Sequence, residues 1–91
     1  MAMITAEDVA QWMVEEMWRR KGRLEQAIAV EGILKKFGRE FLYENKNGNL
    51  AICRGVLDAF ELASGNGTVW SVSGKLWRYR EQSDKPGRQQ D

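Results

Sequence analysis

Between Thr5 and Gly22 the apolar residues fall into two adjacent rows of helical spacing. Val9, Met13 and Met17 make one i, i+4 row, Ala10, Val14 and Trp18 make its neighbour, and Trp12 flanks the first. The spacing predicts a helix that ends near Arg20. Its start is marked by Thr5 as N-cap, with Asp8 three residues on in the position of a capping box and Glu7 adding negative charge to the first turn. Ile4 and Val9 stand at staple spacing across that cap, and Gly22 follows Arg19-Arg20-Lys21 as a left-handed stop. The two rows together cover more than half the circumference, wider than one core needs. Two readings follow. Either this is a central helix contacted on several sides, or Val14 and Trp18 face a second subunit.

The next helical pattern runs over residues 25–37, with Ala27, Val30, Leu34 and Phe37 inward, Ile28 and Ile33 widening the face, and Gly38 as its end. Gly32 marks a close approach by a neighbouring helix. Residues 41–52 contain the turn signal Asn47-Gly48. The favoured reading there is an ordered loop anchored by Phe41, Tyr43, Leu50 and Ile52, with a short strand at 41–45 as the alternative. A third helix is predicted over residues 53–63, turning Val56, Leu57, Phe60 and Ala63 inward and Arg54, Asp58 and Glu61 outward, before Ser64-Gly65-Asn66-Gly67 stops it. A β-hairpin then reads from residues 68–72 through Ser73-Gly74 to residues 75–80. Its two-residue turn sets Trp70 opposite Trp77 and Thr68 opposite Tyr79. Residues 81–91 are polar, hold the sole proline, Pro86, and read as a disordered tail.

Three helices followed by a C-terminal hairpin predict an α+β, winged-helix-like domain over residues 1–80, with the hairpin as wing. The segments Phe37-Gly38-Arg39-Glu40-Phe41, Asn47-Gly48-Asn49-Leu50-Ala51-Ile52, Val56-Leu57-Asp58-Ala59-Phe60, Val69-Trp70 and Trp77-Arg78-Tyr79-Arg80-Glu81 resemble a family of small bacterial proteins of unknown function. The closing Asp84-Lys85-Pro86-Gly87-Arg88-Gln89 is similar to that family too. The resemblance implies a winged-helix-like fold and an origin on mobile elements such as integron cassettes. It implies no activity and no site residue.

Composition narrows the chemistry. The chain has 91 residues, 43% of them hydrophobic, enough for one core. Histidine is absent and Cys53 is the single cysteine, so neither an imidazole base nor a thiolate metal site is available, and no disulfide forms within the chain. No metal and no cofactor is expected, and a reducing cytoplasm fits the cysteine usage. The N-terminal residues lack a signal peptide's basic start, and no apolar run has a membrane-spanning length. The glycines sit at caps and turns rather than in a phosphate loop, and Glu15-Glu16 diverge by about 100° on a helix, so an enzyme is not expected.

Fourteen basic residues against thirteen acidic ones leave a net charge of +1 and a pI near 7.9, below the range of about 9 and above common in nucleic-acid modules. In a winged helix the third helix would enter the major groove, and here Asp58 and Glu61 face outward against Arg54 alone. The expectation is therefore a non-catalytic protein-interaction module, homodimeric through Val14 and Trp18. The alternative is weak nucleic-acid binding through Arg19, Arg20, Lys21 and Arg23 at the end of the first helix and Lys75, Arg78 and Arg80 on the wing.

Overall fold

A computed structural model describes residues 3–90. Helix α1, Ala6–Arg19, begins at Thr5, whose hydroxyl accepts from the Asp8 N–H while the Asp8 carboxylate accepts from the Thr5 N–H at 2.9 Å. The capping box read from the sequence is present, and it satisfies two N–H groups that a helix start leaves open. After α1 the chain turns through Lys21 and Gly22, both left-handed at φ 61° and 87°. Strand β1, Arg23–Glu25, follows at once and leads into helix α2, Gln26–Phe37, which ends on Gly38 at φ 86°.

A short 3-10 turn, Arg39–Phe41, joins α2 to strand β2, Leu42–Glu44, which pairs antiparallel with β3, Leu50–Ile52. This small hairpin corrects the favoured loop reading of residues 41–52. Each strand is three residues long, too short to show the alternation that identifies a strand. Its turn is built by Asn45, whose side-chain oxygen accepts from the N–H groups of Asn47 and Asn49.

Helix α3, Arg54–Ser64, follows, then β4, Thr68–Ser71, and β5, Leu76–Tyr79. The β4–β5 register sets Trp70 against Trp77 and Thr68 against Tyr79, as the turn length predicts. Three helices with the sheet toward the C-terminus make this an α+β fold.

The sheet is larger than a hairpin. β1 pairs with β5, and the final strand β6, Gln89–Gln90, pairs parallel with β4, giving the order β1-β5-β4-β6. Of residues 81–91, expected as a disordered tail, 81–90 are instead folded back onto the sheet, and residue 91 lies outside the described residues. The polar composition that suggested disorder is satisfied by hydrogen bonds rather than by apolar burial.

The core lies between α1, α3 and the inner sheet face. Val9, Ala10, Met13 and Met17 from α1 meet Val56, Ala59 and Phe60 from α3, closed by Leu24 and Trp77 from the sheet and by Ala29 and Ile33 from α2. On α3 the inward row is Val56, Ala59 and Phe60, with Leu57 half-buried and Ala63 exposed, so the predicted inner face is corrected by about one position. The helix diverges from the core in its last turn.

Trp12 resolves half of the over-wide face of α1. Its ring lies over Gly32 of α2 and makes an edge contact with Phe37 at 6.0 Å, so Gly32 is the close approach that the sequence indicated. Gly22 is comparably tight and is left-handed as well. A side chain there would meet the ring of Tyr79, whose N–H donates to the Gly22 carbonyl at 3.1 Å. Gly22→Ala combines left-handed strain with a displaced ring, and is expected to destabilise the fold by roughly 1–3 kcal/mol. Urea denaturation measures this as a lower midpoint at unchanged slope.

Candidate functional site

Four elements build the surface where the sequence-predicted residues fall: the end of α1, β1, the β4–β5 hairpin and the C-terminal residues. On the helical side Trp18 is 72% exposed, although it belongs to the same row as the buried Ala10. Val14, its partner in the expected interface, is half-buried and packs against the core, so much of its apolar surface is already covered within the chain. Arg19 and Arg20 both reach Glu16, at 3.0 and 3.1 Å. Lys21 and Arg23 are exposed.

β1 brings the two expected basic groups together. Arg23 stands directly opposite Arg78 across the β1–β5 ladder, which places like charges side by side on one sheet face. Asp84 resolves the repulsion. Its carboxylate accepts two hydrogen bonds from the Arg78 guanidinium, at 2.8 and 2.9 Å, in the bidentate geometry that makes such pairs strong. Arg80 donates to the carbonyls of Lys85 and Gly87, at 2.9 and 2.5 Å.

Lys75 is at the far end of the hairpin with φ 51°, and its carbonyl accepts from the Gln26 N–H at the start of α2. The hairpin tip is therefore tied to a helix N-terminus rather than projecting freely. Of the hairpin cations, Arg78 and Arg80 bond to the chain's own tail, and Lys75 is three residues from Arg78 along the chain, about 10 Å.

On the inner face of the sheet, α3 and the paired tryptophans enclose a cleft of about 290 Å³, lined by Leu57, Asp58, Glu61, Trp70, Trp77 and Arg88 among others. Trp70 and Trp77 lie 4.8 Å apart at a tilt, and Phe60 meets Trp77 edge-on at 5.4 Å, so the aromatic floor is part of the core. Along the rim Arg54 pairs with Asp58 at 3.3 Å, the i, i+4 pair that the spacing predicts. Both are exposed, so the pair adds little stability. Asp58 and Glu61 are exposed, as expected, but they border the cleft toward Arg88 rather than facing away from the sheet.

Sequence reasoning missed Asp84 and Arg88. Arg88 lies over the Phe60 ring at 5.3 Å and donates to Ser64 Oγ at 3.2 Å. Burial pushes its guanidinium pKa down, against the pull of the Glu61 carboxylate. The available signal was the turn-forming Asp84-Lys85-Pro86-Gly87 run. That run separates two charged anchors, where a disordered tail needs no turn. Leu62, exposed beside Arg80 and Arg88 on a second cleft, was likewise not singled out.

An α+β domain whose third helix carries Asp58 and Glu61 on its exposed side, with a tied C-terminal hairpin and no group of three or more metal-ligating side chains among the described residues, is what the geometry defines. The chain belongs to the Family of unknown function (DUF6953), which it matches over residues 5–79, from the cap of α1 through β5. Residues 84–89, which also suggested a family resemblance, lie outside that match. No curated protein and no solved structure matches the chain. No helix among the described residues is long and apolar enough to cross a membrane.

The anchoring of the tail is pH-dependent. Hydrogen bonds from Arg78 and from the Glu81 N–H hold the Asp84 carboxyl down from 3.8 to about 2. A depressed carboxyl stabilises the fold fully above its ordinary value, and that contribution is lost as pH falls toward the folded value. Protection of the Trp70 and Val72 amides, which donate to Arg88 and Gln90, measured against their intrinsic exchange rate at each pH, is thus expected to fall between pH 3.8 and about 2. In Asp84→Asn the same amides should exchange faster at neutral pH and lose that step.

Proposed function

We propose that the protein is a non-catalytic, winged-helix-like interaction module that pairs with a second copy through the Trp18 side of α1. Apart from the β2–β3 hairpin inserted between α2 and α3, the order α1, β1, α2, α3, β4, β5, with β1 added to the C-terminal hairpin, supports the winged-helix reading. The observation that carries the interaction reading is Trp18. An indole 72% exposed, on a helix that buries its other large apolar residues wholly or in part, leaves a large apolar area in water. Tryptophan in that position is the residue type most enriched where partners meet. The charge of α3 supports the same choice, since Asp58 and Glu61 outnumber Arg54 on the surface that a DNA-binding winged helix turns to phosphate. The lone cysteine and the sequence resemblance support a place in the bacterial cytoplasm.

The second reading, weak nucleic-acid binding, draws support from one feature: Arg23 and Arg78 are neighbours, with Arg19, Arg20 and Lys21 just before Arg23 in the chain. Asp84 on Arg78, Glu16 on Arg19 and Arg20, and the tail carbonyls on Arg80 weigh against it.

Sedimentation at tens of micromolar, within the range of moderate affinities, is expected to find a dimer. Trp18→Ala should weaken it by roughly 30-fold or more, as loss of a central aromatic anchor does. A wild-type monomer at those concentrations removes the reading. Duplex DNA and RNA are expected to bind no tighter than about 10⁻⁴ M at physiological salt, the weak end of non-specific binding. Micromolar binding with a steep salt slope, lost in Arg78→Ala/Arg80→Ala, favours the second reading instead.

A further inference from the structure

Without residues 81–90, β4 is an edge strand, with the N–H groups of Trp70 and Val72 directed away from β5. These two groups donate to the carbonyls of Arg88 and Gln90, at 2.8 and 3.0 Å, as a parallel ladder. Alternate donors along an open edge are what an added strand uses to dock. We infer that this edge of β4 is a strand-docking surface, closed in cis by the chain's own tail and open, when that tail lets go, to the tail of a second copy.

Three features of the tail carry the inference. First, its hold on the body is polar. Among residues 81–90 only Pro86 is apolar, and the anchors are Asp84 on Arg78, the Lys85 and Gly87 carbonyls on Arg80, and Arg88 on Ser64 and Phe60. Release therefore uncovers little apolar surface of the tail itself, and its groups are rehydrated in water.

Second, the tail is folded on itself. The Gln90 carboxamide accepts from the Lys85 N–H at 3.1 Å and donates to the Lys85 carbonyl at 2.8 Å, so these groups are satisfied within the tail and make no demand on which copy supplies the edge.

Third, the receptor half of every anchor lies in residues 60–80 and the tail half in residues 84–90. An identical tail from another copy satisfies the same contacts, which is the condition for exchange between protomers. The surface uses none of the Trp18 side, and its test does not depend on the helix-mediated dimer.

A tethered tail competes at an effective concentration on the order of millimolar, so the edge is closed in the wild-type chain. The experiment is to titrate a labelled peptide of residues 81–91 into full-length wild type and into full-length Asp84→Ala, with amide exchange at Trp70 and Val72 read in parallel. The expected result is faster exchange in the variant and peptide binding at least about tenfold tighter than to wild type, as loss of a cis competitor predicts. A peptide carrying Asp84→Ala should bind neither chain. Two outcomes overturn the proposal: amides that stay protected in Asp84→Ala, so that the tail is not the closure, and amides that open without any gain in peptide binding, so that the open edge accepts no strand.

Discussion

Phe60 is the residue on which the rest of the structure converges. Fully buried on α3, it meets the edge of Trp77 at 5.4 Å, and through Trp77 it joins the helical core to the sheet. Trp77 in turn stands opposite Leu24 on one side and Trp70 on the other, so a single aromatic contact fixes β1, β5 and β4 against α3. The guanidinium of Arg88 lies over the Phe60 ring at 5.3 Å and brings the C-terminal residues into the same cluster. A cation over an aromatic face is worth more where water is partly excluded, as it is here. Removing the Phe60 ring would therefore open the core and the seat of the tail together.

Around that centre the protein uses its arginines structurally. Arg78 and Arg80 extend from the last strand to the tail, Arg88 returns from the tail to α3, and Arg19 and Arg20 converge on Glu16. A sequence count treats each of these as free positive charge, whereas the fold places most of them against a carboxylate or a carbonyl oxygen. The bidentate Arg78–Asp84 pair illustrates why. Arg23 and Arg78 are forced side by side by the β1–β5 register, and a carboxylate between the tail and the sheet relieves the repulsion.

The apolar surface divides in a similar way. α1 carries more hydrophobic residues than one core can cover, and its two tryptophans have opposite fates. Trp12 finds space that exists only because Gly32 on α2 has no side chain, while Trp18 stays 72% exposed. Both lie on the wide face that the spacing identifies, and no local property separates them. The distinction depends on where α2 crosses α1.

What the sequence by itself determined was whatever is set by neighbours a few residues apart. The capping box of Thr5 and Asp8, the stop at Gly38, the Arg54–Asp58 pair and the Trp70–Trp77 register are all local geometry, and all were legible. The tertiary structure alone decided the rest. β1, β2, β3 and β6 are two or three residues long and become strands only because a partner lies alongside, since so short a segment has too few ladder bonds of its own to show a pattern. The same holds for the tail. Its polar residues read as solvated because their partners, Arg78, Ser64 and Phe60, are separated from them by 6 to 28 positions in the chain, and only folding brings them within reach.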